Sequence, residues 1–302
     1  MAIIPPYLVP GDTIGIMCPS GFMPTDNSST CMRVLKEWGY QVKEGSTLTS
    51  QYHYFSGTDE QRLNDLQQML DDDEVKAILF ARGGYGITRI IDKINFKKFK
   101  KHPKWIIGYS DITLLHSHIF KQYKISTLHA PMAAAFNDGG HENQYVLSLK
   151  NALAGVKANI HLPFHALNKK GQAVGKLIGG NLSLLAHITG TRSQVKMKGK
   201  ILFLEDIGEY IYHIDRMMYQ LKRSGQLEEL SGLIIGGFTD MKDTIIPFGK
   251  DVYATIHDLV KEYSYPVCFN FPVGHQTENF ALKIGTEHHL FVEENHVLLH
   301  EV

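Results

Sequence analysis

The chain has 302 residues, 43% of them hydrophobic, which is enough to bury a sizeable core and to form two domains. Its 31 basic and 31 acidic residues balance to a formal charge of zero, which argues against nucleic acid or an anionic membrane as a partner. The first residues lack a signal-peptide pattern, and no apolar run approaches the roughly 20 residues that span a bilayer, so we expect a cytoplasmic protein with a small-molecule partner.

The first half of the chain alternates between predicted strands and helices. Strands are predicted at 12–18, 40–43, 75–80 and 105–108, and helices are predicted to begin near Asp26, after a capping box at 58–61, after a glycine-rich loop at 82–86, and after Ser110. This alternation predicts an α/β fold with a parallel sheet and helices on both faces. Ligands collect at the carboxyl ends of the strands in such sheets.

The alternation stops between about Asn137 and Lys170, where turn residues dominate. We therefore predict an N-terminal domain at 1–137, a connecting segment at 138–170 and a C-terminal domain at 171–302. The second domain reads as mixed α+β, with strands predicted at 175–178, 200–204, 232–236, 280–284, 289–292 and 297–300. Helices in this half are predicted to end at His187 and to cover 213–225 and 252–262.

Metal binding and disulfide formation are not predicted. The cysteines are far apart and lack C-x-x-C spacing, so we interpret them as small apolar residues of the core: Cys18, Cys31 and Cys268. Neighbouring histidines diverge, because His116 and His118 are two apart on a predicted helix and His288 and His289 face opposite sides of a predicted strand.

Ser110 lies where the apolar run 105–108 meets a predicted helix. A serine in such a sharp turn can project its hydroxyl beside the free N–H groups of the helix, as in a nucleophile elbow. The ordinary alternative is a helix start at which Ser110 is only a cap, with Asp111 or Thr113 also able to cap the helix.

A serine nucleophile needs a base and donors for an oxyanion. The loop at 82–86 follows a strand, and its glycines allow a carbonyl to approach backbone N–H groups, so Gly83 or Gly84 with the N–H of Asp111 are the candidate donors. The alternative for this loop is a strand-to-helix turn that requires positive φ. A dinucleotide site is less favoured, because G-G-Y-G does not match G-x-G-x-x-G.

His275 is the candidate base, because it lies in a loop shaped by proline and glycine and not on a periodic face. The apolar run 201–204 leads directly into Glu205, and an acid at a strand end can orient an imidazole. Glu209 is the alternative acid, although a helix-capping role suits it better. A surface histidine is the alternative for His275.

Motifs along nearly the whole chain resemble the LD-carboxypeptidases, a family that comprises muramoyltetrapeptide carboxypeptidases and microcin C immunity peptidases. The motifs are Arg-Gly-Gly-Tyr-Gly at 82–86, Gly-Tyr-Ser-Asp at 108–111, Gly-Gly-Asn at 179–181, Leu-Glu-Asp at 204–206 and Pro-Val-Gly-His at 272–275. They occur in the family order and at compatible spacing.

This resemblance implies a flavodoxin-like N-terminal domain and a smaller, swivelling C-terminal β/α domain that supplies Glu and His. It implies Ser110 as nucleophile, His275 as general base and Glu205 as orienting acid, with Asp111 and Gly83 or Gly84 at the oxyanion. Gly179-Gly180-Asn181 either shapes the cleft or forms a turn that caps its helix. The resemblance further implies a homodimer that needs no cofactor.

The implied reaction is hydrolysis of the amide between an L-centre and a C-terminal D-amino acid, with release of D-Ala from the tetrapeptide of recycled murein. One alternative is a microcin-type peptidase that acts on a peptidyl or aminoacyl nucleotide. A second is a ligand-binding protein that keeps the fold without catalysis.

Overall fold

The structure is a computed structural model and describes residues 2–24 and 26–302. Its strands are β1 (Thr13–Met17), β2 (Gln41–Glu44), β3 (Val75–Phe80), β4 (Trp105–Ile107), β5 (Thr127–His129), β6 (Asn159–Pro163), β7 (Gly171–Asn181), β8 (Lys200–Ile207), β9 (Gly232–Thr239), β10 (Val267–Cys268), β11 (Leu282–Ile284), β12 (Glu287–Val292) and β13 (His296–Glu301). Its α-helices are α1 (Asp26–Glu37), α2 (Asp59–Asp71), α3 (Ile87–Ile90), α4 (Lys97–Lys101), α5 (Thr113–Tyr123), α6 (Gln144–Leu153), α7 (Leu182–His187), α8 (Ile211–Arg223) and α9 (Val252–Val260).

The chain forms two compact units. The first comprises Met1–Val156 and Phe280–Lys283, and the second comprises Lys157–Asn279 and Ile284–Val302. The segment 138–170 contains a short 3-10 helix (Gly140–Glu142), α6 and β6. The domain boundaries that the sequence predicts, at 137 and 170, stay a prediction.

The first unit contains the parallel sheet that the alternation predicts. Its strand order is β11-β5-β4-β3-β1-β2, and β1 to β5 pair in parallel with their neighbours. Ile14 and Ile16 of β1 pack in one core with Val34 of α1 and Leu149 of α6, whereas a Cβ at Gly15 would lie 2.7 Å from Met69 of α2. Because alternate residues of a strand face opposite sides, helices cover both faces of this sheet.

The second unit contains a mixed sheet with the strand order β10-β9-β8-β7-β12-β13-β6. β7 to β10 pair in parallel, and β12 pairs antiparallel with β7 and β13. These two sheets confirm the predicted fold class of an α/β protein with a second β/α domain. The capping box at Thr58 and Gln61 is also confirmed.

Several boundaries differ from the prediction. β7, β8 and β9 are longer than the runs predicted at 175–178, 200–204 and 232–236, and α8 begins at Ile211 instead of His213. β8 pairs on both edges, with β7 and β9, so the sheet satisfies its backbone groups even where polar residues follow the apolar run. The strand therefore continues through Glu205 and Asp206.

Candidate active site

Ser110 follows β4 in a turn with an unusual backbone. Its φ is +65°, a left-handed conformation that costs a non-glycine residue on the order of 1 kcal/mol or more, and Gly108 two residues earlier has φ +152°. The buried His116 ring of α5 holds this turn through a 2.8 Å hydrogen bond from Nε2 to the carbonyl oxygen of Gly108. Burial lowers the pKa of His116 to about 4, so this ring is neutral at pH 7.

The glycine-rich loop after β3 lies directly against Ser110. A Cβ at Gly83 would lie 2.9 Å from the Ser110 Cβ and 3.1 Å from its Oγ, so a side chain at this position would displace the serine. Gly84 has φ +100°, and a Cβ there would lie 2.9 Å from the Tyr54 hydroxyl. Of the two candidate oxyanion glycines, Gly83 is therefore the one at which an added side chain would meet Ser110 first.

The Asp111 carboxylate is buried and joins the serine turn to the glycine-rich loop. It accepts hydrogen bonds from Ser20 Oγ at 2.5 Å and from the Ile87 N–H at 2.9 Å. Burial raises the pKa of Asp111, and these hydrogen bonds oppose that shift. The cap position of α5 is occupied by Ile112, so the prediction that Asp111 or Thr113 caps this helix is wrong. The Asp111 carboxylate instead binds Ser20 and Ile87, which are distant from it in sequence.

Glu205 and His275 are hydrogen-bonded in the second unit. The Glu205 Oε2 lies 2.7 Å from the His275 Nδ1, the Glu205 side chain is fully buried and the His275 side chain is 14% exposed. Glu205 lies inside β8, and not beyond a strand that ends at residue 204. Glu209 lies after β8, where its Oε2 is 2.7 Å from Nδ1 of the half-buried His213. Of the two candidate acids, Glu205 is the one paired with His275.

Glycines allow the His275 loop to lie against this strand. A Cβ at Gly274, which has φ +114°, would lie 2.6 Å from the Glu205 Cβ. On β9 the register shifts by one residue at Gly236-Gly237, and the Gly237 N–H donates to the Val273 carbonyl oxygen at 2.9 Å. This irregularity was not predicted from the sequence, although the Gly236-Gly237 pair is a signal of a β-bulge.

The electrostatics of this pair raise the pKa of the His275 imidazole. Burial lowers the pKa of His275, but the Glu205 charge, its hydrogen bond and the charge of Asp206 together raise the pKa above its ordinary value of 6.5. Burial and the neighbouring Glu205 charge also raise the pKa of Asp206 to about 7. A histidine that gains a proton readily next to a buried carboxylate has the properties of a general base.

Gly179-Gly180-Asn181 was predicted either to shape the cleft or to cap the following helix. In the structure, Asn181 is the N-cap residue of α7. Its Oδ1 accepts from the Leu184 N–H of α7, and its Nδ2 donates to Asp206 Oδ1 at 2.8 Å. Gly179 and Gly180 belong to the end of β7 and do not form a turn. A Cβ at Gly179 would lie 2.0 Å from the carbonyl oxygen of Phe203, its partner in the neighbouring strand β8, so only glycine fits at this position. The hydrogen bond from Asn181 to Asp206 therefore links the carboxyl ends of β7 and β8 next to Glu205.

The candidate site residues are divided between the two units. The first unit contains Ser110, Gly83, Gly84 and Asp111, and the second contains Glu205 and His275.

Within residues 2–24 and 26–302, no group of three or more His, Cys, Asp or Glu side chains could hold a metal ion. The cysteines are buried and free, and burial raises the pKa of each thiol, as expected for core residues. In the same described ranges, no helix has the length and apolar character needed to cross a bilayer.

Known families and structures match both halves of the chain. Family models of peptidase S66 match residues 14–130, as the LD-carboxypeptidase N-terminal domain, and residues 174–290, as the LD-carboxypeptidase C-terminal domain. A Bacillus subtilis protein described as a probable murein peptide carboxypeptidase is 36% identical over 292 residues, which cover 94% of this chain and 90% of that protein.

Two solved structures share the fold. The crystal structure of muramoyltetrapeptide carboxypeptidase from Oxalobacter formigenes matches with a TM-score of 0.87 and 29% identity, over 96% of this chain and 98% of that one. The microcin C7 self-immunity protein, in complex with aspartyl sulfamoyl adenosine, matches with a TM-score of 0.86 over 100% of this chain and 99% of that one. Its identity is 20%, so this second match concerns the fold alone.

Proposed function

The chain belongs to the LD-carboxypeptidase family, and on this premise we propose that it is a serine carboxypeptidase that cleaves the amide between an L-centre and a C-terminal D-amino acid. The observation that carries the proposal is the 2.7 Å hydrogen bond between the buried Glu205 and His275, the acid and base of a triad. The strained turn that presents Ser110 supports its role as nucleophile.

In the proposed mechanism, Ser110 attacks the scissile carbonyl while His275 accepts the serine proton through Nε2. Glu205 keeps the other ring proton on Nδ1 and stabilises the imidazolium. The backbone N–H groups of Asp111 and Gly83 receive the oxyanion, with Gly84 as the alternative glycine. His275 then protonates the departing amine, and water, deprotonated by His275, releases the acyl group. The steps require neither a metal ion nor an organic cofactor.

The proposed substrate is the tetrapeptide of recycled murein, cut before its terminal D-Ala. The description of the Bacillus subtilis relative as a probable murein peptide carboxypeptidase supports this choice. The proposal includes a cytoplasmic homodimer, with the nucleophile in the domain 1–137 and the Glu and His in the domain 171–302.

The alternative substrate is a peptidyl or aminoacyl nucleotide, which the fold match to the microcin C7 self-immunity protein motivates. We expect kcat/KM for release of D-Ala from a murein tetrapeptide to exceed that for hydrolysis of a peptidyl nucleotide by at least about 100-fold, because a site built for one substrate leaves polar groups unpaired with the other. The two substrates are compared side by side by mass spectrometry, with a tetrapeptide ending in L-Ala as the stereochemical control. Preferred hydrolysis of the nucleotide would favour the microcin-type function, and binding without hydrolysis of either substrate would favour a ligand-binding protein.

The raised pKa of His275 predicts the pH dependence of the reaction. His275 must be neutral to accept the serine proton, so the acid limb of kcat/KM should lie above pH 6.5, the ordinary value for histidine. Asp206→Asn removes one of the negative charges that raise this pKa, so the limb should move to lower pH.

The control for this pH dependence is Asp215→Asn, which changes a carboxyl of α8 and should leave the limb in place. The profiles are measured between about pH 5 and 9, a range that brackets the ordinary histidine pKa. A wild-type limb at or below pH 6.5, or a limb that Asp206→Asn moves upward, contradicts the role of His275 as base.

A further inference from the structure

Arg82 is an exposed cation in the glycine-rich loop, the loop that lies against Ser110 through Gly83. It follows β3 and directly precedes Gly83, the residue whose missing Cβ would lie 2.9 Å from the Ser110 Cβ. The Arg82 Nη1 donates to the backbone carbonyl oxygen of Phe22 at 3.0 Å, and the residue is exposed. That hydrogen bond uses one of the five N–H groups of the guanidinium.

Two other arginines of this region are engaged in ion pairs. Arg62 is fully buried, bonds to the Pro19 carbonyl oxygen at 2.7 Å and pairs with Asp59. Arg89 is paired with the same Asp59 carboxylate at 2.8 Å. Arg82 differs from both because its observed partner is a neutral carbonyl, which a carboxylate can displace or join.

The proposed reaction creates a need for such a cation. In a carboxypeptidase substrate, the terminal carboxylate is on the residue directly after the scissile carbonyl, so the two groups are about one residue apart, and consecutive Cα atoms are about 3.8 Å apart. The Arg82 guanidinium bonds to the Phe22 carbonyl oxygen, and the N–H of the adjacent Gly21 donates to the Gly83 carbonyl oxygen at 3.0 Å, so the cation lies near the backbone of the oxyanion candidate. A planar guanidinium pairs with a carboxylate through two parallel hydrogen bonds, which a lysine does not reproduce.

We propose that Arg82 binds the terminal carboxylate of the substrate and thereby makes the enzyme a carboxypeptidase. This inference rests on the proposed function and assigns it a specificity-determining residue. Gly83 and Arg82 then recognise adjacent parts of one substrate: the backbone of Gly83 receives the scissile carbonyl oxygen, and the Arg82 side chain receives the carboxylate beyond it.

The test compares a tetrapeptide with a free C-terminal carboxylate and the same tetrapeptide as its C-terminal amide. We expect Arg82→Gln to lower kcat/KM for the free acid by roughly 10- to 100-fold, mainly through KM, because a hydrogen-bonded ion pair is lost. The amide should be hydrolysed at an unchanged rate, so the preference for the free acid disappears. Arg82→Lys should keep part of that preference, since it retains the charge without the planar fork.

The matched control is Arg89→Gln, which removes a neighbouring cation paired with Asp59 and should leave the acid-to-amide ratio unchanged. If Arg82→Gln lowers the rates for both substrates equally, Arg82 has a structural role and the inference is wrong. The inference is also wrong if the acid preference survives in Arg82→Gln.

Binding separates this inference from the proposed function. Calorimetry with Ser110→Ala, with and without Arg82→Gln, gives the Kd for both peptides when no turnover occurs. If the wild-type protein hydrolyses neither peptide, the proposed function fails, and loss of the acid-to-amide ratio in Kd on Arg82→Gln still supports Arg82 as the carboxylate site. Equal Kd values for the acid and the amide in Ser110→Ala overturn the inference.

Discussion

Ser110→Ala should lower kcat for release of D-Ala from a murein tetrapeptide by about 10⁴-fold or more, because the proposed nucleophile is lost. The fold should be retained, since alanine and serine have nearly the same cost at the observed φ of +65°. The Asp111 carboxylate, which joins the serine turn to Ser20 and Ile87, is unaffected by the change. Turnover is measured by D-Ala release, and folding by circular dichroism and the midpoint of thermal unfolding.

The control for the nucleophile is Ser46→Ala, which removes an exposed hydroxyl of the same unit. The backbone N–H of Ser46 binds Asp65, and this bond does not depend on the side chain. Turnover by this variant should stay within about twofold of wild type, as expected for an exposed position that the mechanism does not use. Turnover at the wild-type rate in Ser110→Ala, with the fold intact, would refute the serine mechanism.

Glu205→Gln should lower kcat by about 10³- to 10⁴-fold, because a neutral amide cannot stabilise the imidazolium that forms when His275 takes the serine proton. The Glu205 Oε1 is buried, and among the described residues it has no hydrogen-bond partner. A glutamine amide would therefore either leave two N–H donors unsatisfied there or direct them at His275 Nδ1 and impose the wrong tautomer. KM should change much less than kcat, because Glu205 acts through His275.

Glu209→Gln is the matched control for Glu205→Gln. The Glu209 carboxylate pairs with His213 on a partly exposed surface, so its loss should change kcat by no more than a few-fold. The same substitution at two glutamates four residues apart separates the charge next to His275 from the general effect of removing a carboxylate. A larger loss of activity in Glu209→Gln than in Glu205→Gln would transfer the role of orienting acid to Glu209.

Local patterns predicted much of the fold. The alternation of apolar runs and amphipathic segments predicted β1 to β4 and the helices α1, α2 and α3, but it did not predict α4. The bounds predicted for β3 are the observed ones, Val75–Phe80. The boundaries of β7, β8 and β9 were less accurate, because hydrogen bonds to neighbouring strands extend a strand past its apolar residues. β11 joins the sheet of the first unit although it lies far along the chain, and a local pattern contains no information on such a partner.

In the candidate site, too, local patterns predicted some features, and contacts between distant residues determined others. Ser110 was found from the strand, the small residues and the helix that follow one another within a few positions. The Asp111 carboxylate was expected to cap α5, but Ser20, 91 residues earlier in the chain, and the N–H of Ile87 bind it. A carboxylate next to a helix start can bind either the free N–H groups of that helix or other donors that the fold brings near it. Here the fold brings the Ser20 hydroxyl and the Ile87 N–H to the Asp111 carboxylate.

The sequence by itself determined the fold class and the family, and it supplied Ser110, Glu205 and His275 as the candidate residues of a triad, since these depend on periodicity and motifs. Only the tertiary structure decided between Glu205 and Glu209 as the partner of His275, and only it showed that a side chain added at Gly83 would meet Ser110, whereas one added at Gly84 would meet Tyr54 first. In each case two chemically equivalent residues lie close together in sequence. Which of them meets its partner depends on strand register and on the path of a loop, and both are set by contacts between distant parts of the chain.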